Sequence, residues 1–262
     1  GTSGSVRGLF WDISGNVSWT RAKWAHYEEP EYEDADQERI YKKSGRWVDR
    51  TFGYVSDGLF TSESEISGLP FDQDLQGNTT LRPGDVRYKD INGDGQLDWK
   101  DQVEIGKGTT PQWIAGLGIT LRYQNFDLST LFQGAFGYYS SIALIRNSVE
   151  GYENRWTAEN NNPNALLPRL GGNDANNGKG SDYYLKQAGY LRLKNINIGY
   201  TFPSAWMDRV GFAQVRLFVA GTNLLTFDKL KVYGTDPEAP SGYSGLYYPQ
   251  QKTVTCGLHL SF

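Results

Sequence analysis

The sequence predicts an all-β chain that forms part of a large antiparallel transmembrane β-barrel. Three observations carry that prediction. Apolar residues recur with period two over segments of roughly 11–15 residues, long enough for tilted membrane strands. The composition is aromatic, glycine-rich and polar, with 17 Tyr, 12 Phe, 8 Trp and 31 Gly and a mean hydropathy of −0.57. Short and long connections alternate along the chain, the pattern of barrels with short periplasmic turns and long extracellular loops.

Six strands follow in order. In the first, about 8–22, Trp11, Ile13, Gly15, Val17 and Trp19 oppose Asp12, Ser14, Asn16, Ser18 and Thr20. The tryptophans mark the two ends of one apolar face, as an aromatic girdle does. In the second, about 112–123, Leu117, Ile119, Leu121 and Tyr123 alternate with Gly118, Thr120 and Arg122. Gln124-Asn125 then acts as a two-residue turn into about 126–139, where Phe126, Leu128, Thr130 and Phe132 continue the same face. Strands at about 188–202 (Ile196, Ile198, Tyr200, Phe202) and 212–225 (Val215, Leu217, Val219) flank a short connection. The last, about 252–262, carries Val254, Cys256, Leu258, Leu260 and Phe262 on one face. Phe262 falls near the periplasmic interface, and Cys256 is a small lipid-facing residue rather than a redox centre. The extracellular loops fall at about 23–111, 140–187 and 226–251. Six strands do not close a transmembrane barrel, and open edges in lipid leave costly unpaired backbone groups. The chain is therefore expected to be the C-terminal segment of something larger. The alternative is a secreted, calcium-stabilised β-sandwich that binds glycans.

Composition excludes other classes. One cysteine rules out a disulfide framework or a Cys-rich metal site, and two histidines, His26 and His259, leave little imidazole chemistry. A net charge of −4 from 26 basic and 30 acidic residues argues against nucleic-acid binding. Seven of those acids lie in Glu28–Glu38, a solvated stretch. No catalytic constellation stands out, so the chain is expected not to be an enzyme.

Several segments resemble the SusC/RagA-type TonB-linked outer-membrane proteins of Gram-negative bacteria. They are Phe52-Gly53-Tyr54-Val55-Ser56-Asp57-Gly58, Pro83-Gly84-Asp85, Tyr88-Lys89-Asp90-Ile91-Asn92-Gly93-Asp94-Gly95, and Tyr123-Gln124-Asn125-Phe126-Asp127-Leu128. Pro168-Arg169-Leu170, Tyr190-Leu191-Arg192-Leu193-Lys194-Asn195, Asn223-Leu224-Leu225, Asp236-Pro237-Glu238 and Tyr248-Pro249-Gln250 follow in order. The resemblance implies a 22-stranded barrel with an N-terminal plug. It also implies import of oligosaccharides or peptides, energy from TonB through a segment outside this chain, and a SusD-like surface lipoprotein as partner. The plug domain is not part of this sequence.

One motif points to a metal. Asp90-Ile-Asn92-Gly-Asp94-Gly95-Gln96-Leu-Asp98-Trp-Lys-Asp101 matches a twelve-residue Ca²⁺ loop. Asp90, Asn92 and Asp94 would supply side-chain oxygens, Gln96 its carbonyl, Asp98 a direct or water-mediated contact, and Asp101 the closing carboxylate in place of the usual Glu. Calcium there is expected to be structural. Loop aromatics form a second candidate set for ligand contact: Tyr243, Tyr247, Tyr248 and Trp156, with Tyr152, Tyr183 and Tyr184 nearby.

Overall fold

The computed structural model describes residues 1–142, 149–171, 174–207, 209, 211–239 and 250–262. Its main element is a seven-stranded antiparallel sheet in which sequence order is also spatial order. The strands are β1 (Thr2–Val6), β2 (Leu9–Trp19), β3 (Trp113–Tyr123), β4 (Phe126–Phe136), β5 (Tyr190–Thr201), β6 (Gln214–Asp228) and β7 (Thr253–Ser261).

Register turns the alternation in sequence into two continuous faces. Trp11, Leu121, Leu128, Ile198, Val219 and Cys256 lie side by side across six strands. The neighbouring row runs Leu9, Tyr123, Phe126, Tyr200, Leu217 and Leu258. Offset by one residue, the opposite face carries Asp12, Thr120, Ser129, Asn197, Ala220 and Thr255. The apolar face is uncovered: Val17, Val219, Val254 and Leu258 are all exposed. Every other sheet among the described residues is a two-stranded ribbon. A sandwich needs a second sheet against this face, and the described residues supply none.

The two ends of the sheet differ. Arg7-Gly8 joins β1 to β2, Gln124-Asn125 joins β3 to β4, and 202–213 joins β5 to β6. The row Leu9, Tyr123, Phe126, Tyr200 and Leu217 places all three at one end. Connections 20–112, 137–189 and 229–252 leave from the other. Tyr123 pairs directly with Phe126, as the two-residue turn requires, and Gln124 takes φ 53°.

β1 is the strand that the alternation missed. Thr2-Ser3-Gly4-Ser5-Val6 shows no apolar period. Arg7 (φ 48°) and Gly8 (φ 82°) nevertheless form a hairpin turn with both residues left-handed. The small residues have a role: a Cβ at Gly4 would collide with the Trp11 ring, which lies across β1. β6 also runs three residues beyond the expected 225, because Asp228 still pairs with Tyr190.

The buried core lies almost entirely outside the sheet, in an assembly built from the long connections. Leu59, Val86, Tyr88, Leu97, Ile142, Leu167 and Leu230 pack there with Tyr138, Tyr183 and Tyr184. A smaller cluster joins Phe60, Ile66 and Leu81. Short ribbons pair Arg50–Gly53 with Val103–Lys107, Ser56–Leu59 with Val86–Tyr88, and Tyr139–Ser141 with Leu185–Gln187. Helix α1 (Ala35–Tyr41) is capped by Asp34 and α2 (Glu63–Ser67) by Ser62. Tyr183 and Tyr184, expected among the loop aromatics open to ligand, are core residues here, and Tyr183 donates its hydroxyl to the Ala165 carbonyl at 2.8 Å.

Candidate functional site: the clasped loop assembly

Two charge clusters fix the loop assembly, and each joins segments remote in sequence. The first depends on a bulge in β5. Ile196 and Ile198 face outward beside Thr130 and Leu128, yet Leu193 pairs with Phe132 on that same face. Lys194 is the extra residue, and the shift in register turns Arg192 inward. Arg192 is buried, and its Nη2 lies 2.9 Å from both carboxylate oxygens of Asp236 while Nη1 meets Glu238. Lys194 Nζ donates to both Glu238 oxygens at 2.7 and 2.8 Å, and the Tyr190 hydroxyl donates to Glu238 at 2.8 Å. The Tyr138 hydroxyl donates to the Pro237 carbonyl at 2.9 Å. Two cations therefore meet two carboxylates, which lets Arg192 sit away from water. Asp236-Pro237-Glu238 is thereby strapped to the rim of the sheet.

The second cluster centres on Asp85, which is fully buried. Arg169 Nε donates to it at 2.7 Å, Asn177 Nδ2 at 2.8 Å and the Arg82 amide at 2.9 Å. Gln73 and Asn176 both donate to the Val86 carbonyl, and Asn177 accepts the Val86 amide. Pro83-Gly84-Asp85 and Pro168-Arg169-Leu170 thus form the two halves of one clasp. Gly84 takes φ 89°, and a Cβ there would strike the Trp156 ring.

That contact locates Trp156. Its ring is half-buried against the core, and its indole N–H donates to Asn161 Oδ1 at 2.9 Å. Asn161 in turn donates to the Thr61 carbonyl at 2.8 Å. Tyr243, Tyr247 and Tyr248 lie outside the described residues.

The 90–101 loop brings the expected metal-loop residues into a set of backbone turns. Asp90 accepts the amides of Gly93 (2.6 Å) and Gly95 (3.0 Å). Asn92 accepts the Asp94 amide, Asp94 that of Gln96, and Asp98 that of Lys100. Asp101 is buried and takes the amides of Ile91, Asn92 and Asp98; burial pushes its carboxyl up. Gly93 and Gly95 are left-handed, φ 75° and 86°, so Gly95 makes the kind of sharp turn that the sixth position of a calcium loop requires. Carboxylate oxygens that accept a single amide keep a second lone pair, which suits a hard cation. Yet the described residues contain no group of three or more acidic, histidine or cysteine side chains placed to hold a metal.

The inward face of the sheet is polar. Arg216 Nε donates to Asp127 at 2.9 Å and Nη2 to Asn197 at 2.9 Å, reaching across β5. Gly199 permits this, because a Cβ there would collide with the guanidinium.

Two outcomes follow from the clasp chemistry. Arg169→Gln leaves the Asp85 carboxylate buried without its cation and should cost about 3–5 kcal/mol in unfolding experiments on the intact protein. Adding Asp85→Asn should restore part of the loss. Acid should loosen the assembly as well. Burial pushes Asp74 up, but the hydroxyl and amide of Thr80 and the amides of Gln76 and Asn78 outweigh it and hold the carboxyl at about 2. Glu65 is held low by the amide and hydroxyl of Thr61. Burial raises Glu238, but Lys194, Tyr190 and Arg192 bring it below the usual range. Folded pKa values below the unfolded ones stabilise above the unfolded values and lose that contribution as pH falls through the folded ones. Hydrogen exchange of residues 59–88 should therefore stay flat from neutral pH to about 4.5 and rise below it, after correction for intrinsic exchange.

No family model matches the chain. It is 29% identical to TonB-dependent receptor P3 of Formosa agariphila, over 84% of this chain and 23% of that receptor. It is 26% identical to TonB-dependent receptor SusC of Bacteroides thetaiotaomicron, over 96% and 24% respectively. Among solved structures, the RagAB peptide transporter matches with a TM-score of 0.64 and 19% identity, over 99% of this chain and 28% of that one. The RagAB peptide importer in the open-open state gives 0.62 at 19% identity, over 98% and 27%. The chain spans about a quarter of the length of the curated relatives it matches. The open antiparallel sheet corresponds to part of the barrel in those structures. Over nearly its whole length the chain is similar to part of the SusC/RagA-type TonB-dependent receptors.

Proposed function

We propose that this chain supplies wall strands and surface loops of a 22-stranded outer-membrane barrel that imports oligosaccharides or peptides. The carrying observation is the asymmetry of the sheet: an uncovered apolar face outside, a polar face inside, short turns at one end and a clasped loop assembly at the other. Barrels of this kind put turns in the periplasm and loops outside the cell. On this reading the loop assembly meets nutrient and a SusD-like surface lipoprotein, while TonB acts through the N-terminal plug region of the whole receptor. Deleting the gene for the intact receptor should abolish growth on one class of oligosaccharide or peptide and leave growth on monosaccharides and free amino acids unchanged. Unimpaired growth on every such polymer would contradict the importer reading.

The same proposal includes one structural Ca²⁺ in the 90–101 loop, held by Asp90, Asn92, Asp94, the Gln96 carbonyl, Asp98 and Asp101. Support comes from the residue pattern and from the left-handed Gly95. Asp90→Asn with Asp94→Asn removes two charges at nearly constant size. In the intact receptor, calcium should raise the melting temperature, and the double variant should lose most of that rise. An identical melting temperature with calcium and with chelator would remove the ion from the account.

A further inference from the structure

Where the apolar face reaches the loop end, it changes chemistry. Trp19 of β2 pairs with Trp113 of β3, which pairs with Phe136 of β4, giving an aromatic row across three strands. Trp19 and Trp113 remain largely exposed, with ring centroids 6.2 Å apart. The Thr20 amide donates to the Gln112 carbonyl, and Lys23 bridges to Trp47. Trp47 meets Trp19 edge-on at 6.5 Å, Arg21 lies 4.3 Å from the Trp47 ring centroid, and Lys23 Nζ lies 5.7 Å from it. These contacts place Trp19, Arg21, Lys23 and Trp47 on one side of the chain. Trp19 belongs to the outward face, so the two cations continue that face past its aromatic edge.

The charges on this ledge are unequally used. Arg21 directs Nε and Nη2 at Asp49, and Gln112 donates to the same carboxylate at 2.6 Å. Between Asp49 and the Trp47 ring the Arg21 side chain is largely buried, 13% exposed, and its charge is neutralised. Lys23 is exposed and makes no ion pair among the described residues. An apolar wall, an aromatic border and then an unpaired cation is the order met on passing from bilayer hydrocarbon through the interface to the headgroup phosphates.

We propose that Lys23, with the Trp19–Trp47–Trp113 border, forms a binding site for the phosphate of an outer-leaflet lipid headgroup. The inference rests on the barrel reading, because it needs the loop end to meet the outer leaflet. The ring of Trp47 holds Lys23 near the interface by cation–π attraction while leaving its ammonium donors free for phosphate oxygens, and Arg21, paired with Asp49, packs on the same ring.

The test uses the intact receptor in nanodiscs, with bis-phosphorylated lipid A and its dephosphorylated form as probes. Retention of each is measured by native mass spectrometry. A bimane on Cys256, in an otherwise cysteine-free receptor, reports the barrel reading separately through quenching by brominated lipid. Lys23→Gln should reduce retention of the phosphorylated lipid about fivefold, the effect of one interfacial basic residue. Lys23→Arg should restore it, and the dephosphorylated lipid should be retained equally by all three proteins. Quenched bimane with unchanged lipid retention in Lys23→Gln overturns the site and leaves the barrel intact. Displacement of lipid A by millimolar inorganic phosphate would also overturn it, by showing a soluble-anion site. Unquenched bimane would overturn the barrel reading and the site with it.

Discussion

The structure turns on one constraint: its largest apolar surface has nothing within the chain to cover it. Strands β2 to β7 present side chains such as Val17, Ile198, Val219, Val254 and Leu258 on the outward face, in rows that cross all six. At roughly 25 cal/mol for each Å² of apolar surface removed from water, leaving such a face hydrated would oppose folding. The edges add to the demand. β1 and β7 each have a neighbour on one side only, and unpaired strand edges seek another strand. Lipid on the face and further strands at the edges meet both requirements together. The same constraint explains why the hydrophobic core has moved into the loops. A sheet whose apolar side faces outward contributes little to a core, so the loop assembly must hold itself together.

It does so with side chains that pin separate loops to one another and to the rim. The bulge at Lys194 turns Arg192 away from the outward face and onto Asp236 and Glu238, fastening the last long connection to β5. Asp85 and Arg169 fasten the first long connection to the second. Asp182 adds another tie, accepting the amide and hydroxyl of Ser56 at 2.7 and 2.6 Å. Such a clasped assembly holds a fixed surface, whereas freely moving loops would pay ordering entropy at each encounter with a binding partner.

The sheet was legible in the sequence because a half-covered antiparallel strand must alternate. Six of its seven strands announced themselves through residues such as Trp11, Ile119 and Leu258. β1 did not, because Thr2–Ser5 stays small and polar, and the Trp11 ring lies over Gly4. The bulge leaves a trace in the three-residue step from Leu193 to Ile196, where the alternation should have advanced by two. The clasps were illegible as clasps. Pro83-Gly84-Asp85 and Pro168-Arg169-Leu170 stood out as segments, but nothing in one announces a partner 84 residues away. Tyr183 and Tyr184 misled for a related reason. A loop position suggests exposure, and only a core made from loops buries them.

The central claim is that the outward face meets lipid and the inward face meets water. Single cysteines placed at successive positions from 254 to 259 of the intact receptor, carrying bimane, test it in bilayers containing brominated lipid or an aqueous quencher. The account predicts a strict two-residue alternation: lipid quenching at 254, 256 and 258, aqueous quenching at 255, 257 and 259. Uniform aqueous quenching along the strand would contradict it.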